Sequence, residues 1–160
     1  SMARDGKHFF YVNPLEVWPE ASERNPGRRH VKPERQAWFG CACCPPNVAR
    51  LLASLGRYAA SAGGDTVRVH LFVGGRMDVR LDKGAARLHI AGGYPWTGDV
   101  QVRIESTEAP SFRLALRIPG WCRNARLAVN GRPVPAKPKA GNYFKLVREW
   151  KTGDTIPRSC

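Results

Sequence analysis

The sequence predicts a mainly β protein in which a loop and one helix precede an antiparallel β-sandwich. After residue 65, apolar residues alternate with polar ones in seven or eight short runs, the pattern of half-buried strands. Glycine-rich or Asn-Gly turns separate the runs, and short strands at this spacing are typical of a sandwich or barrel. The runs cover residues 67–73, 77–81, 88–90, 100–104, 112–118, 127–129 and 144–147.

One helix is predicted upstream of these strands, starting at Pro46. Its apolar residues recur at the spacing of one helical face, at Val48, Leu51, Leu52, Leu55 and Ala59. Proline suits the first turn of a helix, and Gly63-Gly64 is expected to end it. The chain contains no second helix to cover this face, so we expect it to pack on another protein segment or on a second copy.

The N-terminal part shows little periodicity. A short strand is predicted at residues 9–12, and the polar, turn-rich residues 19–36 are predicted to form a long loop. We place a domain boundary at Gly63-Gly64, giving a first part of residues 1–64 and a β-sandwich domain of residues 65–160.

The charge balance excludes little by itself. The net charge is +13, with 26 basic and 13 acidic residues, and the arginines are spread along the chain. The only basic run is residues 28–32, and no RNA-recognition or zinc-finger pattern is present. The charge therefore predicts non-specific attraction to polyanions and no specific nucleic-acid partner. No stretch of 18 apolar residues occurs, so no membrane partner is predicted.

Three of the five cysteines lie within four positions, as Cys41-Ala42-Cys43-Cys44, while Cys122 and Cys160 stand apart. A disulfide scaffold has its cysteines spread out, so this clustering predicts reduced thiols and a cytoplasmic location.

Cys43 and Cys44 directly precede the predicted helix, where the helix dipole and free N–H groups stabilise a thiolate. Three interpretations stay open from chemistry alone: inert thiols, a zinc site, or a reactive thiol. A structural zinc site usually has a second pair of cysteines, which is missing here.

Several motifs resemble one family, the family-127 glycoside hydrolases or β-L-arabinofuranosidases. The most specific string is Cys-Ala-Cys-Cys-Pro-Pro-Asn at residues 41–47. The other matching phrases lie in the same order at residues 11–15, 38–40, 94–98, 114–122, 129–131 and 150–154. The resemblance therefore spans nearly the whole chain.

The resemblance implies a retaining glycosidase that uses a zinc-bound cysteine thiolate as its nucleophile. The matching nucleophile is Cys43, and Cys44 matches a neighbouring zinc ligand. Cys43 would form a thioglycosyl-enzyme that water then releases, while a glutamic acid serves as acid and base. Tyr11 matches a tyrosine near the nucleophile and is a candidate substrate contact.

The sequence also departs from the family pattern. The family's acid/base glutamate and other zinc ligands come from an upstream (α/α) barrel, and Glu16, Glu20, Glu23 and Glu34 match none of them. The helix from Pro46 would be the last helix of that barrel. Residues 157–160 depart from the family's alternating strand, which predicts a sandwich truncated at its C-terminus.

We therefore expect a fragment of an enzyme acting on furanosides or oligosaccharides, inactive alone. The alternative is a non-catalytic β-sandwich module that binds carbohydrate or protein and self-associates as a homodimer through the exposed helix.

Overall fold

The computed structural model describes residues 2–11, 20, 32–40 and 43–160. The chain divides into two compact units, Ser1–Ala53 and Ser54–Cys160. No helix in the described residues is long and apolar enough to cross a membrane.

The first unit contains helix α1 (Cys44–Ser54), none of whose residues is buried. The strand predicted at residues 9–12 is wrong in its described part, because Phe9 forms only isolated bridges with Met2 and Gln36. Residue 12 and most of the predicted loop at residues 19–36 lie outside the described residues.

The second unit begins with a short helix, α2 (Gly56–Ala59), followed by strand β1 (Ala60–Gly63). The prediction of one helix as far as Gly63-Gly64 is therefore wrong in its last part. Glycine has a low helix propensity, and Gly56 lies where the first helix gives way to the second. Residues 60–63 instead pair antiparallel with the next strand, which satisfies their backbone groups in a sheet.

Ten strands occur in the part of the chain that the structure describes, in two sheets. Besides β1 they are β2 (Thr66–Val69), β3 (Gly75–Leu81), β4 (Gly84–Gly92), β5 (Val100–Thr107), β6 (Ser111–Arg117), β7 (Arg126–Val129), β8 (Arg132–Pro133), β9 (Tyr143–Glu149) and β10 (Thr155–Ser159). One sheet has the order β1-β2-β6-β9, and the other has the order β3-β4-β5-β10-β7-β8. The predicted mainly β fold is confirmed.

One strand pair differs from the predicted antiparallel arrangement. Strands β2 and β6 are parallel, with Val67 opposite Leu114 and Val69 opposite Leu116. Parallel neighbours need a long crossover connection, and here strands β3, β4 and β5 of the other sheet provide it.

The core consists of the inward-facing residues of both sheets, which alternate with less buried ones along β2, β4, β5, β7 and β10. Trp150 closes one part of it, and its Nε1 donates a hydrogen bond of 2.9 Å to the Phe112 carbonyl. The fully buried members are Val67, Val69, Leu88, Ile90, Val102, Ile104, Phe112, Leu114, Leu116, Ile118 and Ile156. This alternation is the one that the sequence pattern predicts.

The C-terminal residues form a central strand. Strand β10 lies between β5 and β7, with Arg158 opposite both Val100 and Leu127. Since cross-strand neighbours share a face, Arg158 projects into the core, and it is only 2% exposed.

The guanidinium of Arg158 is incompletely paired. Its Nη2 donates to the Cys160 sulfur and its Cζ lies 4.6 Å from the centre of the Phe72 ring. Its Nε and Nη1 have no hydrogen-bond partner among the described residues. Burial lowers the pKa of this guanidinium, which shows that the charge sits in an unfavourable environment.

The expectation of reduced thiols is wrong for two of the cysteines. Cys122 and Cys160 form a disulfide across 38 residues, with their Cα atoms 5.2 Å apart. The pairing of β10 with β7 carries Cys160 to the segment just before β7, a proximity invisible in the linear sequence. Cys43 and Cys44 are free thiols. The cytoplasmic location was predicted from reduced thiols, and the disulfide removes that argument. The location therefore stays a prediction.

Candidate active site

The two free thiols lie at the start of α1. Cys44 is the first residue of the helix, Cys43 directly precedes it, and both are exposed. The Asn47 side chain donates a hydrogen bond of 2.9 Å to the Cys43 carbonyl, which also accepts the Asn47 backbone N–H at 3.2 Å. Asn47 therefore fixes the backbone that carries the Cys43 thiol.

Tyr11 reaches Cys43 from a segment 32 positions earlier. Its Oη lies 2.9 Å from the Cys43 sulfur. The Tyr11 ring packs against Phe39, which is buried, with ring centres 5.5 Å apart. Phe9 packs against the same ring at 5.3 Å. A small aromatic cluster thus holds the tyrosine hydroxyl beside the thiol.

The contact between Tyr11 and Cys43 changes the acidity of both groups. The hydrogen bond from Tyr11 is the main reason that the pKa of Cys43 lies below its usual value, with a smaller contribution from Cys44. The pKa of Tyr11 is raised, chiefly by the same hydrogen bond. Of the two groups, the thiol therefore loses its proton first, and the protonated tyrosine then donates to a thiolate, which is the nucleophilic form of cysteine.

The donor chemistry of this site fits zinc only in part. Two adjacent thiols are ligands that zinc prefers, but a tetrahedral site takes four. Within residues 2–11, 20, 32–40 and 43–160, no group of three or more His, Cys, Asp or Glu side chains could hold a metal ion. Cys43 and Cys44 would thus supply half of a ligand set.

Comparisons with known families match both units. The model of the β-L-arabinofuranosidase GH127 catalytic domain matches residues 1–57, and that of the GH127 middle domain matches residues 66–159. The chain belongs to glycoside hydrolase family 127.

Similar proteins support this assignment along nearly the whole chain. A curated non-reducing end β-L-arabinofuranosidase of Bifidobacterium longum subsp. longum is 39% identical over 158 residues, covering 95% of this chain and 23% of that protein. The crystal structure of a GH127 β-L-arabinofuranosidase from Geobacillus stearothermophilus T6 is 46% identical, with a TM-score of 0.78, over 99% of this chain and 25% of that one.

A second solved structure, described as a GH127 β-arabinofuranosidase, is 31% identical with a TM-score of 0.75, over 99% of this chain and 25% of that one. The chain therefore spans about a quarter of the length of these GH127 relatives.

The structure brings Cys43, Cys44 and Tyr11 together, which are the three residues that the GH127 resemblance singled out. Sequence reasoning did not single out Asn47 or Phe39. Asn47 could have been found from the sequence, because a residue four positions after Cys43 lies beside it when a helix starts there. Phe39 lies in the matching phrase at residues 38–40, but the resemblance assigned it no role in the site.

Proposed function

We propose that this chain carries the nucleophile of a retaining β-L-arabinofuranosidase, and that Cys43 is that nucleophile. The observation that carries the proposal is the 2.9 Å contact between the Tyr11 hydroxyl and the Cys43 sulfur at the start of α1 in a GH127 chain. The hydroxyl favours the thiolate, the helix N-terminus adds positive potential, and the exposed sulfur is accessible to a sugar.

Cys43 acts by attacking the anomeric carbon of an arabinofuranosyl group. The C–S bond forms while the bond to the leaving oxygen breaks, and the leaving group departs with that electron pair. Water then attacks the same carbon, passes one proton to a general base from outside the described residues, and returns the thiolate, so that the configuration is retained. During both steps Tyr11 holds its proton and donates a hydrogen bond to the sulfur whenever it carries negative charge.

Zinc is the cofactor that the donor set suggests. Cys43 and Cys44 would hold it, and its charge would keep both thiols deprotonated near neutral pH. The remaining ligands would come from outside the residues that the structure describes.

The isolated chain is expected to form the thioglycosyl bond without completing turnover. The residues described here offer no assigned acid to protonate a poor leaving group and no base to activate water. A 2,4-dinitrophenyl β-L-arabinofuranoside carries a leaving group that departs unprotonated. Peptide mass spectrometry of the reduced, zinc-loaded chain should then show one anhydropentose added at Cys43.

The matched controls are Cys43→Ser and Cys44→Ser. The first should abolish the adduct, while the second should keep the carbon–sulfur bond at Cys43, with a slower rate if zinc is lost. An adduct on Cys44 alone, or none in any chain, contradicts the assignment of the nucleophile. Sustained release of arabinose by the chain contradicts the expected inactivity.

A second proposal concerns assembly and rests on α1. Val48 and Leu52 lie on the apolar face that the sequence predicts, and both are more than half exposed. This face favours self-association of the chain as a homodimer.

A further inference from the structure

The outer face of the four-stranded sheet carries a cluster of positive charge. In strands β2, β6 and β9, the residues between the inward-facing ones share the face that points away from the core. The basic residues on this face are all exposed, and they are Arg68, Arg113, Arg117 and Lys145. We call these four residues the basic face.

The strand register places the basic face around one small residue, Ala115. Arg68 lies opposite Ala115 on one side, and Lys145 lies opposite it on the other. Arg113 and Arg117 lie two residues before and after Ala115 on β6. The backbones of Arg68 and Lys145 are therefore about 10 Å apart across the sheet, and those of Arg113 and Arg117 about 13 Å apart along it. Long side chains reach across such diagonal spacings, so all four can contact one ligand above Ala115.

The positive charge of the basic face is not neutralised by neighbouring side chains. No salt bridge in the described part of the chain includes any of its four members. Among the described residues, the one carboxylate on this face is that of Glu149, which lies opposite Ser111 at the far end of β9. Like charges at this spacing repel, and a bound anion removes that repulsion. Charge complementarity therefore indicates a ligand with several negative charges.

An aromatic side chain with a fixed position lies beside the basic face. Tyr143 is directly opposite Arg117 and is 37% exposed. Its hydroxyl is hydrogen-bonded to Nδ1 of His70, whose Nε2 lies 2.8 Å from the Ser61 hydroxyl. The rings of Tyr143 and His70 are nearly perpendicular, with their centres 5.7 Å apart. Because these contacts hold the tyrosine ring before a ligand arrives, binding to it costs little ordering of side chains.

We propose that the basic face and Tyr143 form a non-catalytic binding site for an oligosaccharide that carries carboxylate groups. Arginine binds carboxylates through paired hydrogen bonds, and the tyrosine ring offers an apolar surface to the C–H groups of a sugar. Ser61 and Thr66 lie on the same face and add hydroxyl groups that can pair with those of the sugar. The choice of a sugar as the carrier of the carboxylates rests on the proposed function, whereas the preference for an anion does not.

The test uses the whole 160-residue chain and calorimetric titration with hexagalacturonate at low ionic strength, where charge screening is weak. We expect saturable binding that weakens at least about fivefold in Arg68→Gln, in Arg117→Gln and in Tyr143→Ala. Arg80→Gln is the matched control, since Arg80 is an exposed arginine on β3 of the other sheet. Cys43→Ser is the control for binding at the candidate active site.

Two further probes separate recognition of the sugar from attraction to charge. The first is the neutral galactose hexamer that matches hexagalacturonate without its carboxylates, and the second is hexathymidylate, a single-stranded DNA of similar charge. The proposal is supported if hexagalacturonate binds more tightly than both probes and if its affinity falls in the variants of the basic face but not in Arg80→Gln.

Other results overturn the proposal. Hexathymidylate that binds as tightly as hexagalacturonate would show non-specific attraction to polyanions, and the assignment to a sugar would be wrong. Absence of saturable binding overturns the site itself, and so does equal weakening in Arg80→Gln. Binding lost in Cys43→Ser alone would place the oligosaccharide at the candidate active site, which overturns this proposal and leaves the proposed function standing.

Discussion

Among single residues, Tyr11 has the most direct influence on the candidate nucleophile. Replacing it with phenylalanine removes the hydroxyl that lies 2.9 Å from the Cys43 sulfur but keeps the ring that packs on Phe39. The pKa of Cys43 should rise, because a thiolate without this donor is less stable.

Alkylation by iodoacetamide as a function of pH measures this change in a Cys41→Ser/Cys44→Ser background, in which Cys43 is the one cysteine outside the disulfide. In the Tyr11→Phe variant, the midpoint of the rate profile should move to higher pH and the rate at neutral pH should fall several-fold. Tyr58→Phe, at an exposed tyrosine of α2, is the matched control. An unchanged midpoint in Tyr11→Phe would show that the hydroxyl does not act on the thiol.

Arg158 is a residue at which the sequence pattern and the fold disagree. Its position on β10 faces an apolar core, yet two of its nitrogens have no hydrogen-bond partner in the described part of the chain. Methionine keeps the unbranched shape and removes the buried charge. Arg158→Met should therefore raise the free energy of unfolding by about 1–2 kcal/mol, after the loss of the contact with Phe72 is subtracted.

Urea unfolding of Arg158→Met and of the control Arg126→Met measures this change in the free energy of unfolding. Arg126 precedes Leu127 on the neighbouring strand β7 and is exposed, so its replacement should change stability little. A loss of stability in Arg158→Met would mean that the guanidinium contacts with Phe72 and Cys160 outweigh its burial.

At the scale of elements, side-chain hydrogen bonds join the turn between β7 and β8 to the turn that precedes β10 in the six-stranded sheet. Asn130 and Gly131 both have positive φ angles, 51° and 77°, and make the tight turn between β7 and β8 that the sequence predicted. The Asn130 amide donates to Asp154 at 2.7 Å, and its carbonyl oxygen accepts the N–H of Thr155 at 2.8 Å. The Lys151 N–H donates to the other Asp154 oxygen at 2.9 Å.

These hydrogen bonds to Asp154 should make the free energy of unfolding decrease at acidic pH. Burial raises the pKa of Asp154, but the hydrogen bonds from Lys151 and Asn130 outweigh it, so the folded pKa lies below the ordinary value. The stabilisation is therefore fully present above about pH 4, the pKa of an unfolded aspartate, and is lost as the pH falls through the lower folded value.

Urea unfolding from pH 7 to pH 2 tests this expectation with Asp154→Asn. The variant should lose about 1–2 kcal/mol at pH 7 and should lose less stability than the parent chain on acidification. Asp82→Asn, at an exposed carboxylate, is the control. The expectation is wrong if Asp154→Asn and the parent chain lose stability equally on acidification.

The strands were largely predictable from the sequence because their inward residues alternate with outward ones. Strands β1 and β10 were missed. Ala59 continued a helical pattern and short runs of small residues do not distinguish helix from strand, while Pro157 and Arg158 hide the alternation in β10. The parallel pairing of β2 with β6 was not predictable, because period-two patterns do not specify a strand's neighbours. The contact between Tyr11 and Cys43 joins positions 32 apart, so only the family resemblance indicated it.

For the whole molecule, the exposed face of α1 leads to a prediction about assembly. In sedimentation velocity experiments, the parent chain should show a concentration-dependent dimer, while Leu52→Lys should remain a monomer at the same concentrations. Lysine keeps the helix propensity and places a charge on the apolar face. The control is Arg50→Lys, on the same helix, which should dimerise like the parent. A monomeric parent chain would contradict the proposed homodimer.

Strand β10 also has a consequence for biosynthesis. It inserts between β5 and β7, so the six-stranded sheet is interrupted at its centre until residues 155–159 are present. A nascent chain in which β5 and β7 are complete and β10 is not yet made holds two unpaired sheet edges. Such edges bind other strands readily, so this region should depend on chaperones until β10 leaves the exit tunnel.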